Sequence, residues 1–400
     1  MSENLPLRDI TIIDAATMLA APWSATFLGD YGANIIKVEH PEKGDTGRGY
    51  GKKKNGVPLL WKSMARNKKC ITLNLGQPEG QELFRELAQK ADVVIENYRP
   101  GTLEKWNIGW DALSALNPSL VMLRTTGFGQ EGPYAKRGGF GTVAEAMSGF
   151  ASINGPKDGP PTLPGMALAD GVSGIFGALS VMIALHERDR NPERRGQYID
   201  ISLYEPLMRL VEPHILSYDQ LGVIAERVGN ASVSVAPRNA YVTRDGTWVA
   251  LSGAAQPIAA NVFKAVGRPE LIEDERFRDN TARMKNVGEL DDIIGGWIRE
   301  RDLEEVQRVF SECGAVIGPM YDMSQLFKDP HYIFRESFVN VQDEELGTVR
   351  MPNVAAKFSR TPGKVLHAGA PKGKHNEEIF KGMLGLSDSR LAELREKKTI

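Results

Sequence analysis

The sequence predicts an α/β protein of two domains. Three observations carry that prediction. The first 130 residues alternate short β-rich runs with helical segments, the texture beyond them becomes loop-rich, and 400 residues is long for one hydrophobic core. Strand runs separated by helices imply a mainly parallel sheet covered on both faces.

In order, residues 10–14 (ITIID) form a β-rich run ending in Asp14. Residues 22–32 (PWSATFLGDYG) open with proline, a favoured first helical residue, and end at a glycine stop. Residues 33–40 (ANIIKVEH) make the next strand. Residues 77–91 place Leu83, Phe84, Leu87 and Ala88 at helical spacing. DVVIEN (92–97) and SLVMLRTTGFG (119–129) are further strands. Parallel sheets bind ligands at the carboxyl ends of their strands, so the loops after Asp14, Glu39, Asn97 and Thr126 are the first places to look. A long helix headed by Asp170 follows, and GQYIDISLYEPLMRLV begins strand-like and turns helical. Residues 222–236 look like a linker. RNAYVTRDGTWVALSG reads as a hairpin around Asp245-Gly246, with helices up to about residue 313. Residues 338–353 are β-like, and SDSRLAELREKK is a final helix. The implied organisation is a large α/β domain over 1–221, to which 331–400 returns, and a small α+β domain with its linker over 222–330.

Composition excludes several classes. Lys plus Arg is 49 against 51 Asp plus Glu, a net charge of −2, with no polybasic tract, so nucleic acid is not an expected partner. Cys70 and Cys313 are far apart and the six histidines are scattered, which gives no metal-site spacing and fits a reduced, cytoplasmic setting. The N-terminal MSENLPLRDITIID does not read as a secretory signal. The apolar run 171–185, broken by Gly174 and Gly177, falls short of a membrane span, so no membrane association is expected. The first βα turn, AATMLAAP, has no glycine, which removes a dinucleotide fingerprint; Glu39 is then a strand-end residue.

The segment LPGMALADGVSGIFGALSVMIALHER raises a sharper question. Asp170 at the head of a helix can serve as its N-cap. Yet Gly171, Gly174 and Gly177 follow, and each helical glycine costs about 1 kcal/mol relative to alanine. That pattern points to a close-packed backbone or a bulky ligand near the helix start. A carboxylate exposed there can also act as a nucleophile toward an activated acyl group.

Several long stretches in matching order, LGDYGANIIKVEHPEKGD, NKKCITLNL, ADVVIENYRPGTLEKWNIGWDAL, NPSLVMLRTTGFGQEGPY and ALADGVSGIFGALSVMIALHERDRNPERRGQYIDISLYE, resemble the class III coenzyme A-transferases of the formyl-CoA transferase and CaiB-BaiF type, a superfamily shared with the α-methylacyl-CoA racemases. The resemblance implies a Rossmann-like parallel sheet in an interlocked homodimer. It implies that Asp170 is the nucleophile and forms an aspartyl anhydride and then an aspartyl-CoA thioester. Acyl-CoA and a carboxylic acid are the implied substrates, with no permanently bound cofactor. Thr17, Met18, Leu19 and Ala20 would line pantetheine, Asn97, Tyr98, Lys105 and Trp106 would contact the nucleotide, and His40 stands where some relatives carry arginine. Phe140 would shape the acyl pocket beside Asp170. It occupies the position of the racemases' histidine base, which favours a transferase over a racemase or a non-catalytic acyl-CoA-binding protein. Amides near Gly171 or in the 226–236 loop would stabilise oxyanions, and that loop could cover the intermediate. Arg99, Arg137 and Arg238 hint at a dicarboxylate, with succinyl-CoA as donor.

Overall fold

A computed structural model describes residues 5–400 and divides them into two compact units. The first comprises residues 5–151, 163–223 and 333–400; the second comprises 152–162 and 224–332.

The first unit opens with β1 (Thr11–Asp14), α1 (Ala20–Gly29) and β2 (Asn34–Glu39), then a two-residue hairpin, β3 (Lys53–Lys54) and β4 (Val57–Pro58). It continues through α2 (Leu59–Met64), β5 (Lys68–Thr72), α3 (Pro78–Gln89), β6 (Val93–Glu96), α4 (Thr102–Lys105), α5 (Trp110–Leu116) and β7 (Val121–Thr126). After α6 (Gly141–Met147) and α7 (Phe150–Ile153) come α8 (Leu168–Arg190), β8 (Tyr198–Ser202), α9 (Tyr204–Leu210) and α10 (Glu212–Leu221). Six strands make one sheet in the order β5-β2-β1-β6-β7-β8, parallel throughout. The chain therefore builds outward from β1 in one direction, returns, and builds outward from β6 in the other. The crevice where the two directions part lies above the carboxyl ends of β1 and β6.

The strands are apolar because both faces are covered. Ile13, Ile36, Ile71, Val94 and Met122 face a core closed by Phe84 and Leu87 of α3 and by residues of the C-terminal helices. Ile12, Ile35, Val93, Ile95, Val121 and Leu123 face α1 and α8. The glycines of α8 are explained here. A Cβ at Gly174 would stand 2.9 Å from Trp23 Cβ, and one at Gly177 would overlap Ser24 Oγ. Ser24 Oγ donates to the Gly174 carbonyl at 3.0 Å, so side chains of α1 press directly on the backbone of α8.

Three expectations need correction. The helix expected over 22–32 begins two residues earlier and stops at Gly29, ahead of Gly32. The strand Lys68–Thr72 stands at the sheet edge, where no strand was expected. By length and composition α8, at 23 residues, is apolar enough to cross a membrane, against the expectation drawn from 171–185. Helical residues before and after that run supply the length. Its inner face, with Val181, Ala184 and Leu185, is core against α1 and the sheet.

The second unit holds an antiparallel sheet of β9 (Arg238–Val242), β10 (Trp248–Ser252) and β11 (Ile317–Pro319). Its core is covered by α11 (Gln256–Ala265), α12 (Asn280–Lys285), α13 (Val287–Arg299) and α14 (Leu303–Glu312), with Phe263, Ile294 and Phe310 at its centre. Short helices α15 (Met323–Leu326) and α16 (Pro330–Phe334) end this stretch; the chain then returns to the first unit with the hairpin of β12 (Phe338–Asp343) and β13 (Gly347–Pro352), α17 (Asn376–Gly382) and α18 (Asp388–Glu396). Residues 222–237 form neither helix nor strand.

Candidate active site

Asp170 lies in the first turn of α8, not at its cap. Ala167 holds the cap position, and no side chain of its own caps the helix. The capping is done from outside: Leu168 N and Ala169 N donate to Glu145 Oε1 at 3.0 and 3.2 Å. Glu145, on α6, is 3% exposed. This partner was not foreseen: it sits 23 residues upstream of Leu168 in a small-residue run, AEAMSG.

Asp170 is half-buried. Burial, and next the negative charge of Glu145, push its carboxyl up to about 6, while the backbone amides of Asp170 and Ala20 pull it back. No cation pairs with it among the described residues. Room for its side chain comes from Gly141, four residues before Glu145 on the same face of α6; a Cβ there would overlap Asp170 Oδ2.

Two cavities share Asp170. One, about 250 Å3, is lined by Thr17, Met18, Leu19, Ala20, Asn97, Tyr98 and Phe140, with Arg99 and Arg137 on its wall. The other, about 690 Å3, is largely apolar, with Met18, Leu19, Trp23, Tyr50, Leu60, Phe140 and Met166 around Asp170. Phe140 is 69% exposed and lines both cavities, so its ring is available to a ligand rather than used in the core. Tyr50, Leu60 and Trp23 were not foreseen; no motif marks them.

The turn after β1 is held firmly. Thr17 N donates to Asn97 Oδ1 at 2.8 Å, and Asn97 Nδ2 donates back to Thr17 O at 2.7 Å. The amide of Asn97 thus shapes the turn. Met18 takes a left-handed conformation (φ 66°), and its amide donates to Asp45 Oδ1 at 3.1 Å. Asp45 also accepts from Gly47 N and pairs with Lys37 at 2.8 Å. Lys37 donates to the Ala16 carbonyl, and Lys68 pairs with Asp14 at 2.8 Å beneath the same turn.

Lys105, Trp106, His40 and Arg238 do not line these two cavities. Lys105 is exposed at the end of α4; Trp106 packs on the core and meets Tyr98 edge-on with centroids 5.3 Å apart. His40 Nδ1 accepts from Glu42 N and Lys43 N at 3.2 Å. Burial and then Lys43 lower its pKa, which disfavours the cation a phosphate would need. Arg238, in the second unit, donates to the carbonyls of Asn230 and Ala231. Arg99 and Arg137 form no ion pair among the described residues; Arg137 lies 3.7 Å over the ring of Tyr134.

The carboxylate of Asp170 and both cavities lie at the carboxyl ends of the strands, where a parallel α/β sheet places its ligand site. The sequence profile of CoA-transferase family III matches residues 7–376, and the chain belongs to that family. Over 396 residues it is 43% identical to succinyl-CoA–D-citramalate CoA-transferase of Chloroflexus aurantiacus, covering 99% of this chain and 98% of that protein. It is 41% identical to the succinyl-CoA–L-malate CoA-transferase beta subunit of the same organism, covering 99% and 98%. The crystal structure of a CAIB/BAIF family protein from Brucella suis superposes with a TM-score of 0.83 at 29% identity, covering 95% of this chain and 99% of that one. The protein is therefore a CoA-transferase acting on CoA thioesters and carboxylates.

Proposed function

We propose that the protein moves CoA from succinyl-CoA to a dicarboxylic acid, with Asp170 as the covalent nucleophile. The observation that carries this is Asp170 itself, an unpaired, half-buried carboxylate that lines both cavities. Asp170 attacks the thioester carbonyl, CoA thiolate leaves, and an acyl-aspartyl anhydride forms. The thiolate then attacks the aspartyl carbonyl and expels succinate, which leaves an aspartyl-CoA thioester. The acceptor carboxylate attacks that thioester and releases the thiolate again. Attack of the thiolate on the acceptor's acyl carbon gives the new acyl-CoA and frees Asp170.

The smaller cavity suits pantetheine, running past Thr17, Met18, Leu19 and Ala20, with Tyr98 and Arg99 toward the phosphates. The larger, apolar one suits the acyl chain, shaped by Phe140 and Tyr50. The donor and acceptor classes rest on the names of the two relatives, whose acceptors, citramalate and malate, are dicarboxylates, and on the unpaired Arg137. A phenyl ring at position 140 supplies no base, which favours transfer over racemisation. The large domain of 1–221 with 331–400 carries this site. It acts without a resident cofactor in a reducing compartment, the cytoplasm, where the free thiols Cys70 and Cys313 persist. A homodimer fits the exposed stripe Ile175, Leu179 and Ile183 along α8 and the exposed Leu216 and Leu221 on α10.

The test is a mass adduct. Incubation with succinyl-CoA alone should leave a hydroxylamine-sensitive adduct on the peptide containing Asp170, and a panel of dicarboxylates should discharge it. An adduct on any other peptide overturns the mechanism.

A further inference from the structure

We infer that Glu145 is a positioning residue for Asp170, acting through the first turn of α8. This rests on Asp170 being the nucleophile. Three facts support it. Glu145 Oε1 accepts two amides of that turn, Leu168 N at 3.0 Å and Ala169 N at 3.2 Å, immediately before Asp170. Glu145 is 3% exposed and borders the larger cavity beside Asp170. On the same face of α6, Gly141 leaves the gap that the Asp170 carboxylate fills. One short helix therefore supplies both the clamp and the clearance.

Capping alone does not call for a charge. Asparagine or serine caps as well as a carboxylate, and a carboxylate here sits against a like charge with no cation to offset it among the described residues. What the charge adds is a field on Asp170. Glu145 opposes ionisation of Asp170, so the ionised nucleophile is more basic and more reactive toward an acyl carbon than a solvated aspartate. The elements around Asp170 bring little else. From Ala20 to Gly29, α1 has no charged side chain, and α8 has none between Asp170 and His186. On α9, which packs on α6 and α8, Glu205 accepts from Ser202 Oγ while Arg209 pairs with Glu212, and both are exposed. Arg99 and Arg137 share the smaller cavity, but the influences on Asp170 are burial, Glu145 and the amides of Asp170 and Ala20.

The experiment is the pH dependence of kcat/KM. Wild-type activity should rise with pH through an acid limb near 6, as Asp170 ionises. Glu145→Gln keeps an oxygen for both amides and removes the charge, so the limb should move to lower pH by about half a unit or more, with a lower plateau. Glu145→Ala removes charge and acceptor together; it should show the same downward shift and a lower melting temperature as well. A limb that stays at the wild-type pH in a folded variant, with the adduct still on Asp170, overturns the role given to Glu145. An adduct that never forms on Asp170 of the wild type overturns the nucleophile instead, so the two failures are separable.

Discussion

Two groups of charges in the first unit, one under the turn after β1 and one at the start of α8, are built on opposite rules. Under the turn after β1, Asp14, Asp45, Lys37 and Lys68 are all but inaccessible. Lys37 lies 2.8 Å from Asp45 and 3.6 Å from Asp14; Lys68 lies 2.8 Å from Asp14 and 2.6 Å from the Pro22 carbonyl. Two cations meet two anions. Burial alone would lower the pKa of Lys37, but Asp14 and Asp45 overcome it and hold the ammonium well above its ordinary range. Under the start of α8, Glu145 and Asp170 meet as like charges, with amides as their only compensation. Balanced burial fixes a shape, here the left-handed turn at Met18. Unbalanced burial keeps a group out of its resting state, here a carboxylate held high enough to react.

The largest expected effect breaks the unbalanced side. Asp170→Asn should lower kcat by a factor on the order of ten thousand, as for other covalent catalysts without their nucleophile, and should abolish the adduct while the fold persists. Steady-state transfer from succinyl-CoA measures it; near-normal turnover in the folded variant would mean that the carboxylate is structural.

The balanced side breaks differently. Lys68→Met leaves Asp14 buried with one cation fewer, and removing one partner of a buried pair costs about 3–5 kcal/mol. Chemical denaturation should show that loss. A change within about 1 kcal/mol would show that Lys37 alone neutralises the pocket.

Gly141→Ala sharpens the contrast. Alanine favours a helix by about 1 kcal/mol over glycine, so global stability should hold. The added methyl occupies the place of Asp170 Oδ2, and displacing a reacting atom by about 1 Å costs about a hundredfold in rate. Turnover should fall by that order with an unchanged melting temperature; a proportional loss of stability would place the effect in packing.

The two groups were unequally legible in the sequence. The alternation of ITIID, ANIIKVEH, DVVIEN and SLVMLRTT is local, because each strand must be apolar on its own account, and the structure keeps it as β1, β2, β6 and β7. The hairpin at Asp245-Gly246 is local too. The strand beginning at Lys68 was not expected, and its two leading lysines differ in fate: Lys68 turns inward to Asp14, 54 residues away, which nothing in the local pattern marks. Asp170 was visible as a lone charge before a glycine-rich helix, but its role as cap was read from position alone. The true cap, Glu145, reaches α8 across a loop that follows no helical or strand period. Pairings of this kind are decided by tertiary approach, which spacing along the chain does not encode.

The smallest effect is also the most direct measure of imbalance. An acid whose folded pKa is raised, as Asp170's is from 3.8 to about 6, binds protons more tightly when folded than unfolded. Its contribution is therefore neutral below the unfolded value, and stability is lost as pH rises from about 4 to about 6, after which the loss is constant. The full shift corresponds to about 3 kcal/mol; because Asp170 is only half-buried, screening reduces it to about 1–2 kcal/mol. Asp170→Asn removes the ionisable group and with it the penalty. At pH 7 the variant should be more stable than the wild type by about 1–2 kcal/mol, and at pH 4 the difference should vanish. Denaturation curves at the two pH values check this. Equal stability at pH 7 would show that the Asp170 carboxylate is as well accommodated as the balanced charges under the first turn.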